Sequence, residues 1–464
     1  MNILPTPDGE ANTGLALPRR AFAILAIALG ISMSVLDGTI ANVALPTIAR
    51  QLGITTVESI WVINAYQLTI VMALLPLASL GDGIGYRRIF TCGLALFTCA
   101  SLACSQAESL TTLTVARVFQ GLGAAGMMSV NTALVRFTYP PRLLGQGIGI
   151  NAMVVAASAV IGPSVATAIL AIGSWPWLFA VNLPIGVIAL AASRSLPEPR
   201  RSGKRFDIPS AFLNALTFGL LITAIDALGH GRAVGSVGLQ IGLAAVVGTA
   251  LVSRQLNRPA PLLPVDLLRN PVFALSITAS ICAFSAQMMT FVSLPFYFQD
   301  ALHRSQMETG LLMTPWPLAV AVIAPLSGRL ADRFRPSILG GIGLSVFAGG
   351  VALLALLPLT PSNTDIAWRM ALCGAGFALF QSPNNRTIIG SAPESRSGGA
   401  SGMLGMGRLL GQSTGAALVA LAFGRFPADG TLVSLWSGCA FALAAALAST
   451  LRPIKKVSPE KETA

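Results

Sequence analysis

Polar residues cut the chain into apolar windows of about 20 residues, the length an α-helix needs to cross the hydrocarbon core of a bilayer. The windows fall near 21–46, 57–79, 88–106, 110–135, 145–171, 176–196, 209–229, 233–253, 272–298, 310–331, 337–360, 366–389, 398–424 and 431–451. They predict an all-α membrane protein with fourteen transmembrane helices. Pro76, Pro295 and Pro358 lie at the softest boundaries. Two Pro- and Arg-rich stretches, 193–209 and 254–271, set the order as six spans, two spans, six spans. The predicted organisation is a tail over 1–20, a six-helix bundle over 21–196, and a linker carrying two inserted helices over 197–271. A second six-helix bundle over 272–451 and a tail over 452–464 complete it.

Composition strengthens this reading. The chain is 54% hydrophobic and 10% charged, against roughly 25% charged in soluble domains, and its mean hydropathy is +0.72. A net charge of +12 could mark a nucleic-acid partner, but the basic residues sit in short loops and form no basic domain. Of the 30 Lys and Arg, 23 fall in the terminal flanks and the even-numbered loops, and only Arg50, Arg232, Arg304 and Arg425 in the others. The positive-inside rule therefore predicts both termini in the cytoplasm and no nucleic-acid partner. The first apolar window lacks a small-residue cleavage site, so it is expected to be a retained span. Six cysteines without a C-x-x-C pair and two distant histidines predict no metal or redox site and no cofactor.

The two groups of six spans repeat each other. "ASLGDGIGYRR" (78–88) follows the second span and "GRLADRFRP" (328–336) the tenth, placing Asp82 and Asp332 at an offset of 250. Gly121, Gly123 and Asn131 recur as Gly374, Gly376 and Asn384 at an offset of 253. The pattern predicts two pseudo-symmetric bundles around a central site.

One charge stands deep in the fourth window. Arg117 lies about 10 Å in from the expected helix end, and Asp37 about 13 Å in from the matching end of the first. An intramembrane charge is a functional candidate, and a guanidinium suits a carboxylate partner. Two readings follow. Asp37 binds a proton while Arg117 and Gln120 orient it, or the pair is a static lock.

At these residues the sequence resembles the major facilitator superfamily, in its fourteen-span drug:proton antiporter branch. "LDGTIANVALP" (36–46), "RVFQGLGAA" (117–125) and "WPWLFAVNLPIG" (175–186) match motifs of spans one, four and six in order. Ala78, Gly83 and Tyr86 depart from the usual loop after span two, and Arg335 stands where its second copy usually has glycine. In span five "IGPSVAT" (161–167) keeps Gly162 and Pro163, but Ala166 and Thr167 replace the following glycines. The resemblance implies a proton-coupled exporter in a bacterial cytoplasmic membrane, with spans one and four lining one cavity. It also implies that the Gly162–Pro163 bend shapes antiport, beside the plainer reading of a packing kink.

Asp82, Arg87, Arg88, Asp332 and Arg333 are the candidate gating loops. Asp contributes little to topology, so the aspartates point to latches that open during alternating access. Substrate candidates are Asn42, Trp61, Asn64, Tyr66, Gln67, Met127, Asn131, Phe284, Gln287, Phe291, Trp316, Phe380, Gln381 and Asn384, with Arg408 of "GRLLGQSTG" either functional or structural. Aromatic and thioether walls suit amphipathic or cationic small molecules; taken singly, each is also an ordinary packing residue. With no G-x-x-x-x-G-K-[ST] loop, ATP drive is not expected. The alternatives are a narrower metabolite exporter without tight proton coupling and a membrane enzyme or sensor. No metal cluster or Ser/His constellation supports an enzyme.

Overall fold

In the computed structural model, residues 14–198, 206–229, 234–256, 258, 261, 263–393 and 396–453 are described. Most of the two predicted tails lies outside them. The first group of helices is α1 (Arg19–Leu52), α2 (Thr56–Ser59), α3 (Trp61–Ile84), α4 (Tyr86–Ser105), α5 (Leu110–Thr138), α6 (Leu144–Ile172), α7 (Trp177–Ala180) and α8 (Asn182–Ser193). An inserted pair follows, α9 (Ile208–Gly229) and α10 (Val234–Leu256). The second group is α11 (Pro271–Phe296), α12 (Gln306–Met313), α13 (Pro315–Arg333), α14 (Pro336–Ala355), α15 (Asn363–Ser391), α16 (Ser397–Arg425) and α17 (Gly430–Thr450).

Eleven helical segments among the described residues are long and apolar enough to cross a membrane, against fourteen expected. Trp177–Ser193 is apolar but short. Helices α15 and α16 have the length, 29 residues each, but polar side chains dilute them. Arg369, Gln381, Asn384, Asn385 and Arg386 interrupt α15, and glycine, serine and Arg408 interrupt α16.

The ends of α1 and α11 meet, because Arg50 donates to Gln299 at 2.6 Å and pairs with Asp300 at 3.5 Å. At the other face Leu15 bonds to Thr138 near the end of α5, and Arg452 reaches Asn384, which itself bonds to Ser276 and Ser280 in the first turns of α11. Both described chain ends therefore share one face, called here the terminus face. Helices entering from the opposite face start on capping side chains. Thr55 with Glu58, Ser109 with Thr112 and Ser305 with Glu308 form reciprocal capping boxes, each worth about 1 kcal/mol.

The sequence repeat is realised in the packing. A Cβ at Gly123 would fall 2.5 Å from the Phe97 nitrogen and 2.6 Å from the Gly93 oxygen; at Gly376 it would fall 2.5 Å from Phe347 and 2.6 Å from Gly343. Gly121 abuts the Tyr66 carbonyl as Gly374 abuts that of Trp316. The trio α3, α4 and α5 is thus matched by α13, α14 and α15, each held by backbone-to-backbone approach. Helix α9 packs on α3 of the first group and α16 of the second, with α10 behind it. Asn214 of α9 donates to the Met72 carbonyl at 3.0 Å, and at the base Arg254 of α10 donates to Asp207 at 2.9 Å.

Candidate functional site

The deep charges of α1 and α5 meet. Arg117 donates from Nη1 to the Asp37 carboxylate and to Gln120 Oε1 at 2.7 Å, and from Nε to the Val62 carbonyl at 2.8 Å. Its guanidinium lies 4.2 Å from the Tyr66 ring centre and 5.5 Å from that of Phe179. Gln120 Nε2 donates to Asp37 Oδ1 at 2.7 Å and to Ser101 at 2.9 Å. Asn182 of α8 approaches the same carboxylate oxygen at 3.5 Å. Side-chain exposure is 0% for Arg117 and 1% for Asp37. Two charges so enclosed are tolerable only because nearly every polar atom has a partner; Arg117 Nη2 is the exception.

Of this cluster, the sequence groups Asp37, Arg117 and Gln120, and offers Tyr66 only as a substrate candidate. It does not point to Ser101, Asn182, Phe179, the Val62 carbonyl or Cys104, whose Sγ lies 3.5 Å from Gln120 Oε1. Asn182 carried a signal, since it is the asparagine of the span-six motif, but nothing in the chain pointed it toward Asp37.

Gly162 and Pro163 lie in α6 against α1. A Cβ on Gly162 would fall 2.0 Å from Thr39 Oγ1, two residues beyond Asp37. One turn on, Thr167 donates to the Pro163 carbonyl at 2.8 Å and faces Gly310 of α12, where a Cβ would meet Thr167 Oγ1 at 1.5 Å. Ser164 and Thr314 lie 3.3 Å apart beside it. The polar contacts Arg50–Gln299, Gln299–Val43 and Ser164–Thr314 join the two groups of helices toward the opposite face.

The substrate candidates are distributed over both groups of helices. Asn42, Asn64, Gln67 and Asn131 are buried, and among the described residues their side-chain oxygens lack hydrogen-bond partners, as does the Asn64 amide nitrogen. Met127 packs in the apolar core and Trp61 is half-buried. In the second group Phe291 and Trp316 stack edge-on at 4.8 Å, Trp316 meets Phe347 at 5.3 Å, and Phe284 meets Phe377 at 5.2 Å. Phe380 is fully enclosed; Gln287 and Gln381 are half-buried. Arg408 is half-buried and has no ion-pair or hydrogen-bond partner among the described residues.

Asn384 instead braces the second group, donating to Ser280 at 2.7 Å and accepting from Arg452. Burial pushes the Arg452 guanidinium down to about 10, and its Nε and Nη1 have no hydrogen-bond partner among the described residues.

The junction of α3 and α4 differs from expectation. Asp82 accepts from the Tyr86 hydroxyl at 2.6 Å, and Tyr86 stacks on Phe137. Arg87, expected beside Asp82, reaches Glu198 at 2.9 Å. The aromatic ring that replaces a basic residue thus supplies the carboxylate's neutral donor. Arg88 and Arg333 are exposed, and the Asp332 side chain lies outside the described residues.

A family model described as Major Facilitator Superfamily matches residues 27–416. The chain is 57% identical to an uncharacterized transporter, YebQ, of Escherichia coli (strain K12), over 95% of this chain and 97% of the relative. It is 31% identical to the riboflavin transporter RibZ of Clostridioides difficile (strain 630), over 82% and 83%. It is also 31% identical to the multidrug resistance protein Stp of Mycobacterium tuberculosis (strain CDC 1551 / Oshkosh), over 85% and 74%. In fold it is similar to a bacterial homolog of the human lysosomal transporter Spinster in an inward-facing, unoccupied conformation. There the TM-score is 0.69 at 18% identity, with 94% of this chain and 98% of that one covered. Buried opposite charges in α1 and α5, glycine-locked repeats in both groups and these matches together carry the conclusion: the chain is a multi-pass membrane transporter and belongs to the Major Facilitator Superfamily.

Proposed function

We propose that the protein is a secondary active exporter of amphipathic small molecules, cationic ones among them, driven by proton antiport in a bacterial cytoplasmic membrane. Fourteen segments cross the bilayer, α15, α16 and the α7–α8 pair included, with both termini in the cytoplasm. The bundles 21–196 and 272–451 rock about a central site, and 197–271 carries the inserted pair. No cofactor is required; the proton is the coupling ion.

The observation that carries this reading is the sealed Asp37–Arg117–Gln120 cluster. A proton on Asp37 removes the counter-charge of Arg117, leaving Gln120 Oε1 and the Val62 carbonyl as its acceptors. Thr39, two residues along α1, fills the notch at Gly162, so a shift of α1 moves α6. From α6 the displacement passes through Thr167 to Gly310 in the other bundle. A buried acid is thereby coupled to the contacts that close the opposite face. The gating loops at Asp82, Arg87, Arg88, Asp332 and Arg333 hold the terminus face in the alternate state, and the scattered aromatic and amide side chains supply the pocket.

The test is flux in proteoliposomes under an imposed pH gradient, with an internal pH dye beside a fluorescent amphipath. Wild type is expected to exchange protons for the amphipath. Asp37→Asn is expected to lose gradient-driven flux while retaining exchange. Full gradient-driven flux in that variant defeats the proposal.

Arg408 favours a second reading, a narrower exporter of one metabolite. A deep arginine without a partner attracts an anionic group on the substrate, and Ala166 and Thr167 alter the span-five motif. Flux of an acidic metabolite without accompanying proton movement favours this reading.

A further inference from the structure

Two grooves open toward the lipid at equivalent places in the repeat. One lies between α14 and α17, has a volume of about 510 Å³, and is walled by Ile338, Gly341, Ile342, Val346 and Thr450. Its counterpart lies between α4 and α8, has a volume of about 460 Å³, and is lined by Arg87, Thr91, Val187, Leu190, Ser193 and Arg194. Positions 88 and 91 of α4 match 338 and 341 of α14 at the repeat offset of 250. The first groove has no charged lining residue. The second adds Arg87 and Arg194 to the apolar side chains of Val187 and Leu190.

The mouth is strongly one-sided in charge. Arg194 and Arg88 are exposed, and Arg19 lies beside them, donating to the Ser195 carbonyl at 3.2 Å. Glu198 is the counter-charge, paired with Arg87 at 2.9 Å, and its side chain is 62% exposed. An ion pair that open to water is weak and exchanges readily for a stronger anion. Below the mouth, Thr91 and Ser193 hydroxyls bond to each other at 3.3 Å. Val187 is 63% exposed on the outward wall.

We propose that this groove binds an anionic phospholipid from the leaflet at the terminus face. Arg87 and Arg194 take the headgroup phosphate, and an acyl chain lies along Val187 and Leu190. Arginine pairs with phosphate in bidentate fashion, and basic pockets between membrane helices select anionic headgroups. The phosphate displaces Glu198 from Arg87. The lipid therefore acts on the first turn of α4, directly after the Asp82–Tyr86 contact.

Native mass spectrometry of the full chain, equilibrated with equal phosphatidylglycerol and phosphatidylcholine, tests this. Wild type is expected to retain phosphatidylglycerol about five-fold or more over phosphatidylcholine, since one basic residue at a membrane surface contributes about that factor. Arg87→Gln/Arg194→Gln is expected to bring the ratio to about one, while Glu198→Gln raises it by freeing Arg87. Arg335→Gln, at the start of α14 and outside the lining of the other groove, leaves it unchanged. Equal retention of both lipids by wild type, or an undiminished ratio in the double variant, overturns the proposal. So does displacement of the lipid by millimolar inorganic phosphate, which would make the site one for the free anion. Lipid retention is read without transport, so it stands or falls separately from proton-driven export.

Discussion

Asp37 and Arg117 lie 80 positions apart in the chain and meet as an ion pair that solvent does not reach. Asp37→Asn leaves Arg117 buried without its counter-charge, an arrangement that costs about 3–5 kcal/mol. The double variant Asp37→Asn/Arg117→Gln is expected to recover more than half of that loss. Denaturant unfolding of Asp37→Asn, Arg117→Gln and the double variant in detergent measures the coupling, and additive losses would show that the two groups do not act as a pair.

The notch at Gly162 predicts a steric rescue. Gly162→Ala places a methyl 2.0 Å from Thr39 Oγ1 and is expected to lower stability by about 1–3 kcal/mol and to slow transport. Adding Thr39→Ala removes the hydroxyl and is expected to restore part of both. If the single variant matches wild type in thermal unfolding and flux, the α1–α6 contact is looser than described.

At the base of the inserted pair, Asp207 gives a pH dependence with a definite sign. Burial pushes its carboxyl up, but hydrogen bonds from Ser210 and Arg254 prevail and hold it below the usual carboxylate range. Its contribution is present above a pH of about 4 and is lost as pH falls through its lower folded value. Asp207→Asn is therefore expected to loosen α9 and α10 by about 0.5–1 kcal/mol at neutral pH. That gap closes in acid. Hydrogen exchange of the two helices at pH 7 and pH 3 checks it, and a gap that widens in acid contradicts the assignment.

Arg50 and Gln299 close the opposite face through a 2.6 Å hydrogen bond. Arg50 is 53% exposed but Gln299 is buried, so Arg50→Ala/Gln299→Ala should cost about 1–3 kcal/mol of stability. A further effect is expected in conformation. A cysteine placed at Asn42 should be labelled several-fold faster from the opposite face in the double variant, and unchanged labelling means other contacts hold that gate.

What was legible in the chain was what depth and repetition encode. Asp37 and Arg117 could be matched because a helix advances a fixed distance per residue, so two rare charges at one level announce each other. Gly123 and Gly376 could be matched because close backbone approach admits only glycine. Neighbour identity was not legible. Asn182 and Ser101 reach the charge cluster through the lateral order of α8 and α4, and no spacing within either helix reveals that order. Arg87 turned to Glu198 because α8 ends beside α4, a proximity the chain separates by 111 positions. For a related reason, eleven described segments, against the fourteen expected, are long and apolar enough to cross a membrane. Helices α15 and α16 are enclosed by other helices, so they carry polar residues that a lipid-facing helix cannot.

The paired glycines have a mechanical consequence. Where the backbones of α4 and α5 touch at Gly93 and Gly123, and those of α14 and α15 at Gly343 and Gly376, neither helix can slide past the other without atomic overlap. Each trio must travel as one stiff plate. Any large motion in this molecule is left to the seams where side chains meet, such as Thr39 in its notch and Arg50 over Gln299, and inhibitors that wedge those seams should freeze it more surely than ligands that fill the plates.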